Sequence, residues 1–177
     1  MTDTRTQILD LAERAIRLRG YHAVSFRDLA DEMGIKSASI HYHFRQKHDL
    51  GLAVVDRYAT RIADLIGPAG ALDWPEALRA FCDVYKDALY QSDLQCLCSI
   101  LASESSGLPD EVADRVAEFF RNNINWLMAS LPDNISDKRS QALAAQTAVQ
   151  GAMTVAVSLK DYSVMDLTIE RLCAPLQ

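Results

Sequence analysis

A chain of 177 residues, 49% hydrophobic and 24% charged, is long enough to bury a sizeable core and excludes the disordered and fibrous classes. It shows no apolar run near the roughly 20 residues that cross a bilayer and no charged-then-apolar start with a cleavage site, so a cytoplasmic protein without a membrane partner is expected. The net charge of −6 argues against nucleic-acid binding if taken whole, yet the first 50 residues hold eight Lys and Arg against seven acids, a net +1 that leaves −7 for the rest, and contain all four histidines.

In chain order, Thr2 or Thr4 caps a first helix reaching about Arg19, with Ile8, Leu11, Ala12, Ala15 and Ile16 as its buried stripe and Gly20 as its stop. Ser25 is placed to cap a second helix, on which Phe26, Leu29, Ala30 and Met33 fall at i, i+3, i+4 and i+7 and so share one apolar face. Gly34 follows, where a left-handed residue is wanted, and a third short helix starts near Lys36 or Ser37. On that helix Ile40 and Phe44 stack toward the core. The opposite side carries Ala38, Ser39, Tyr42 and His43, with Ser37 and His41 on the flanks. Two short helices joined by a tight glycine turn make a helix-turn-helix. Small residues let a backbone approach base edges, and hydroxyls and imidazoles can bond phosphate or base, so the third helix is a candidate major-groove reader. The bland alternative is an amphipathic surface helix.

The run GIKSASIHYHFRQKHDL, Gly34 to Leu50, resembles the signature of TetR-type transcriptional repressors. The matching positions are Gly34, Ile35, Ala38, Ser39, Ile40, Tyr42, His43, Phe44, Arg45, Lys47, Asp49 and Leu50. Lys36 stands where that family usually has a capping Ser, His41 where it has Tyr, and His48 where it has an acid. The resemblance implies an all-α fold: a three-helix DNA-binding head with the helix-turn-helix, residues 1–48, and a larger helical body for ligand binding and dimerisation, residues 49–177. The implied DNA contacts are Ser25, Arg27, Lys36, Ser37, Ala38, Ser39, His41, Tyr42, His43 and Lys47.

Beyond the motif, residues 46–66 read as one long helix with Leu50, Val54, Tyr58, Ile62 and Leu65 recurring at three or four, ended by Gly67, Pro68 and Gly70. Asp73 and Pro75 open a helix to about Tyr90, and Asp93 opens another through Ser105. Pro109 starts a helix to Leu131, Ser136 one to about Leu159, and Ser163 one ending near Cys173; no strand is expected. Ala148, Gly151, Ala152 and Val155 give the penultimate helix a mostly small face, and a glycine there suggests that packing demands it. The resemblance makes this face part of a homodimer interface, and a helix-turn-helix reader of paired half-sites favours a two-fold dimer independently. A packed interior helix of a monomer is the alternative.

The resemblance also implies a small-molecule effector, with an electrophile among the candidates, entering the body among Tyr85, Cys96, Ile100, Phe119, Asn123 and Trp126. Of the four cysteines, Cys96 and Cys98 lie two apart, so on a helix they point about 200° apart and cannot chelate one metal. One is expected to face the core and the other a cavity or the surface. His41 and His43 diverge in the same way, and no phosphate loop, dinucleotide fingerprint or catalytic constellation is found. No metal, cofactor or enzymatic activity is therefore expected. The reading is a repressor released from a palindromic double-stranded operator by a ligand. Control by a protein partner is the alternative, distinguished by whether the body is hollow or filled.

Overall fold

The computed structural model describes residues 3–174, and all regular structure among them is helical. The elements are α1 (Thr4–Arg19), α2 (Phe26–Met33), α3 (Ser37–His43), α4 (Lys47–Ile66), α5 (Trp74–Ser92), α6 (Leu97–Ser103), α7 (Asp110–Ala129), α8 (Lys138–Leu159) and α9 (Ser163–Cys173), with a 3₁₀ turn at Ser105–Gly107. The chain packs as two compact units. The first comprises the chain as far as Ala59 together with Leu97–Glu118, and the second comprises Thr60–Cys96 and the chain from Phe119 onward. Packing thus adds α6, the 3₁₀ turn and the start of α7 to the first three helices, and α4 and α7 each contribute to both units.

In the first unit, α1 buries Ile8, Leu9, Ala12, Ala15 and Ile16, with Leu9 taking the core position expected for Leu11, which is half-buried. Its cap is Asp3, whose carboxylate accepts the Thr6 N–H at 2.8 Å, and not Thr4; Thr2 lies outside the described residues. A carboxylate at this end also suits the helix dipole. Ser25 caps α2 as the sequence indicates, and Gly34 closes it at φ 66°, its N–H reaching the carbonyls of Ala30 and Asp31. Arg57 of α4 ties that helix to α1 through Asp10 at 2.7 Å and Glu13 at 3.3 Å. The apolar stripe of α4 runs Leu50, Val54, Tyr58, Ile62, Ile66, a strict i+4 row, while Leu65 is exposed.

In the second unit α8 packs on α9 and α5, and α5 on α9. Several boundaries differ from expectation for one reason: where two candidate caps adjoin, the one whose carboxylate reaches the free N–H groups wins. Asp137 caps α8 by accepting from Ser140 N at 2.9 Å, so Ser136 falls outside. Asp161 accepts the Ser163 N–H at 3.0 Å and Tyr162 is the N-cap of α9. Asp93 does not open a helix but closes α5 in the left-handed region at φ 57°, and α6 begins only at Leu97. Pro109 precedes α7, offering its carbonyl to the N–H groups of Val112 and Ala113. The 22-residue α8 contains an 18-residue stretch with a mean hydropathy of 1.3, which reaches the length and apolarity of a bilayer span, contrary to the sequence expectation. Its row of Ala142, Ala145, Val149, Met153 and Ala156 is buried against neighbouring helices, which accounts for the apolarity as core.

Lys160 closes α8 at φ 55°, with its N–H on Ala156 and Val157, in a conformation that costs a side-chain-bearing residue about 1 kcal/mol. Lys160→Gly is expected to stabilise the protein by about 0.5–1 kcal/mol in urea unfolding; a loss of stability would show that the lysine side chain contributes more than the strain costs.

Candidate nucleic-acid interface

The third helix has two distinct sides. Ile40 and Phe44 are buried, and Arg5 of α1 lays its guanidinium 5.2 Å above the Phe44 ring. On the other side Ala38, His41 and Tyr42 are exposed, and Ser37, Ser39 and His43 are half-buried. Tyr42 stands 86% exposed, its ring edge-on to His43 at 5.1 Å. His41 meets Phe26 of α2 edge-on at 4.8 Å, which gives the imidazole a defined position between the two helices. Lys36 is the exposed N-cap residue and makes no side-chain cap bond, in keeping with its departure from serine.

Arg27 is exposed on the first turn of α2 and lies 3.9 Å from Asp31, a pair of solvated groups that holds it only weakly. Ser25 is more committed. Its hydroxyl donates to Asp28 Oδ2 at 2.7 Å and accepts the Asp28 N–H at 3.2 Å, so a phosphate can use it only by displacing Asp28. Lys47 is likewise anchored: its ammonium donates to the His22 carbonyl at 3.2 Å and sits 4.6 Å from the centre of the Tyr21 ring. Burial pushes the lysine below its ordinary range, and the nearby Glu104 carboxylate opposes that shift. The ten predicted residues all lie within the first unit; Ser25 and Lys47 are held by hydrogen bonds to the protein and Arg27 is paired with Asp31, while Lys36, Ala38, His41 and Tyr42 are exposed and Ser37, Ser39 and His43 half-buried.

The predicted body residues divide differently. Ile100 belongs to the first unit, and Tyr85, Cys96, Phe119, Asn123 and Trp126 to the second. Tyr85 is fully buried and its hydroxyl accepts from Asn123 Nδ2 at 2.7 Å; Trp126 Nε1 donates to the Gly67 carbonyl at 2.8 Å. Phe81 lies between them, 5.0 Å from the Tyr85 ring and 6.3 Å from that of Trp126. Cys96 and Cys98 are both fully buried, so of the two expected alternatives, a cavity or the surface, the surface is excluded for either. On α8, Ala152 is buried and Ala148 half-buried, whereas Gly151 and Val155 are exposed. A Cβ at Gly151 would meet nothing within 4 Å, so packing inside the chain does not require the glycine.

Residues 8–54 match the family described as bacterial regulatory proteins, tetR family. Over the whole chain the structure is similar to a crystal structure of a TetR transcriptional regulator from Legionella pneumophila, 32% identical, with a TM-score of 0.89 and 97% of this chain and 96% of that one covered. The chain belongs to the TetR family. A TetR-family regulator from Agrobacterium tumefaciens is similar at 30% identity and a TM-score of 0.84, covering 96% of this chain and 95% of its own. Among curated relatives, the transcriptional regulator AcuR of Cereibacter sphaeroides is 29% identical over 98 residues, 52% of this chain; the chain spans about half the length of that relative or less, 45%. The protein is thus a DNA-binding transcriptional regulator of this family with the helix-turn-helix in its N-terminal part.

Two residues of this TetR-family chain emerge from the structure and not from the motif reading, Glu104 without any local sequence signal and Gln146 with a weak one. Glu104, from the 3₁₀ segment, accepts the Tyr21 N–H with both carboxylate oxygens, at 3.1 and 3.2 Å, and so fixes the turn that Lys47 also holds. Gln146 sits in the buried row of α8 at 4% exposure, and neither atom of its amide has a hydrogen-bond partner among the described residues. A glutamine spaced i+4 from Ala142 could have been noticed as a polar break in the apolar row.

Because Tyr42 makes no buried contact, Tyr42→Ala is expected to change folding stability by no more than about 0.5 kcal/mol. It should weaken DNA binding about tenfold or more, one hydrogen bond to phosphate and its ring contact being lost. Paired thermal unfolding and gel-shift titrations check this; equal DNA affinity would remove Tyr42 from the interface.

Proposed function

We propose that this TetR-family protein is a ligand-responsive repressor that binds a palindromic operator as a homodimer and is released when a small molecule enters residues 49–177, the head being residues 1–48. The observation that carries the DNA reading is the sidedness of α3: Ile40 and Phe44 fix the helix from behind while Ala38 and Tyr42 stand out in front. In this reading Ser37, Ala38, Ser39 and His41 meet base edges. Arg27 reaches a guanine or a phosphate; Ser25, Tyr42, His43 and Lys47 hold phosphates, and Lys36 adds a cation beside the groove. The exposed Gly151 and Val155 on α8 support a dimer face there that also takes in Ala148 and Ala152, since a glycine that nothing inside the chain requires is explained by close approach of another helix.

Gln146 supports the effector. Leaving both a buried amide N–H₂ and its carbonyl unpaired costs about 1–3 kcal/mol each, and a ligand offering an acceptor beside a donor recovers that. Such a ligand shifts the regulator only by binding one body conformation better than the other, and α4, continuous from Lys47 to Ile66, would carry the change toward the motif. Control by a protein partner is the second reading, favoured by the way Tyr85, Asn123 and Trp126 satisfy one another and the backbone.

A footprint on the DNA flanking the protein's own gene, taken over a salt series, tests the proposal. A protected, two-fold symmetric site with half-sites about 34 Å apart is expected. In the same assay Lys47→Ala should weaken all sequences alike and lower the salt slope by about one; a loss confined to the specific site would contradict a phosphate role. Gln146→Leu is expected to raise the stability of the ligand-free protein by about 1–3 kcal/mol and to abolish release by the effector. Full release by effector in that variant would sink the role of the amide, whatever the footprint shows.

A further inference from the structure

The side of α9 that faces α5 is read from a series of contacts. Tyr162 donates its hydroxyl to Asp93 at 2.5 Å and its ring lies 5.3 Å from that of Tyr90. Tyr90 in turn donates to Asp166 at 2.6 Å, and Lys86 reaches the other oxygen of Asp166 at 2.7 Å. Stepping back along α5 from Asp93 through Tyr90 to Lys86 therefore means stepping forward along α9 from Tyr162 to Asp166, so the two helices run antiparallel in a fixed register. Counted from the Tyr90–Asp166 pair, Cys82 lies two turns back on α5, at i−8 from Tyr90, and Cys173 two turns on along α9, at i+7 from Asp166. The register brings them together, close enough for the Cys173 thiol to act on that of Cys82. Cys82 is fully buried and Cys173, in the last turn of α9, is half-buried.

We propose that Cys82 and Cys173 form a dithiol site that a peroxide converts to an intrachain disulfide, stapling the C-terminal helix to α5. The chemistry has an order set by access. Cys173, the half-buried and more accessible member, attacks the peroxide: its sulfur takes one oxygen as sulfenic acid, the O–O bond breaks and the leaving oxygen departs as water or alcohol. The Cys82 sulfur then attacks the sulfenic sulfur, an S–S bond forms, the S–O bond breaks and water leaves with the Cys82 proton. Both thiols are oxidised by one electron each, and the peroxide is reduced by two. Burial, with the Cys173 sulfur beside it, pushes the Cys82 thiol up to about 12, so it does not react first and serves as the resolving partner. The motif that attracts notice in sequence, Cys96 and Cys98, is fully buried at both positions and offers an oxidant no entry.

The test is a peptide map of the full-length protein after treatment with hydrogen peroxide, alkylation of remaining thiols and tryptic digestion. Cys82 falls in peptide 80–86, Cys173 in 172–177, and Cys96 with Cys98 in 87–115. The expected product is 80–86 linked to 172–177, reversed by dithiothreitol, with both thiols of 87–115 still alkylated. In Cys173→Ser, Cys82 should stay reduced at peroxide doses that link the wild type fully; in Cys82→Ala, Cys173 should stop at a sulfenic acid trapped by dimedone. Should Cys82→Ala fail to fold, the wild-type map and Cys173→Ser decide alone. A 172–177 peptide linked to itself, a link from 87–115, oxidation of Cys82 in Cys173→Ser, or a wild type with all four thiols intact would each overturn the proposal.

Discussion

The second helix of the helix-turn-helix, α3, is seven residues long, and a helix that short cannot hold itself in water. Its existence and direction depend on what lies behind it. Ile40 is fully buried, Phe44 ends the helix against the core under the Arg5 guanidinium, and His41 is pinned on Phe26. Gly34 sets the angle at which the chain enters, because only a left-handed residue lets the α2 carbonyls be closed while the chain turns. Every exposed group on the reading side takes its position from these few contacts. The same economy explains why the outer face can carry small and polar residues that add nothing to stability.

A second support lies farther away in sequence. Tyr21 and His22 form the turn between α1 and α2, and that turn is held by Lys47 on the His22 carbonyl and by Glu104 on the Tyr21 N–H. Both bonds satisfy backbone groups that neither helix can pair internally. Gly20 sits at φ 83°, and a Cβ there would push the Glu104 carboxylate away from the Tyr21 N–H. The segment carrying Glu104 packs with α1 although more than 80 residues separate them, which is why the compact first unit is not a contiguous stretch of chain.

These features divide into what local sequence can and cannot carry. The periodicity of α2 and α3 marks their inward faces, on which Leu29, Ala30, Ile40 and Phe44 are buried and Phe26 and Met33 half-buried, and the single glycine between them marks the turn, because helix faces and left-handed closures are decided within a few residues. Helix starts are harder: Thr4, Ser136 and Ser163 are reasonable caps, but Asp3 and Asp137 have the reach and the charge, and at α9 Tyr162 is the N-cap while Asp161 holds the Ser163 N–H. Asp93 was read as opening a helix when it ends one, since an aspartate tolerates both the cap and the left-handed position. The row on α4 was misread at its end because Leu65 and Ile66 are equally apolar and only i+4 continuation to Ile66 keeps the row facing inward. Glu104 could not be found at all, as its partner is a backbone N–H and leaves no trace in composition.

The body shows how polar groups in a core differ in meaning. Asn123 and Tyr85 are buried, but each answers the other, and Trp126 is answered by a carbonyl; such groups specify one packing arrangement and need no ligand. Gln146 stands in the buried row of α8 with Ala142, Val149 and Met153, nothing in the described chain answers its amide, and a leucine there would leave no polar atom unpaired. Cysteines obey the same logic. Spacing in sequence drew attention to Cys96 and Cys98, but reactivity follows from exposure and from what stands opposite, and those are set by the α5–α9 register. In both cases chemistry is located by asking which buried or half-buried group the fold leaves facing a partner it could react with or bond to, and that is a property of packing between helices distant in sequence.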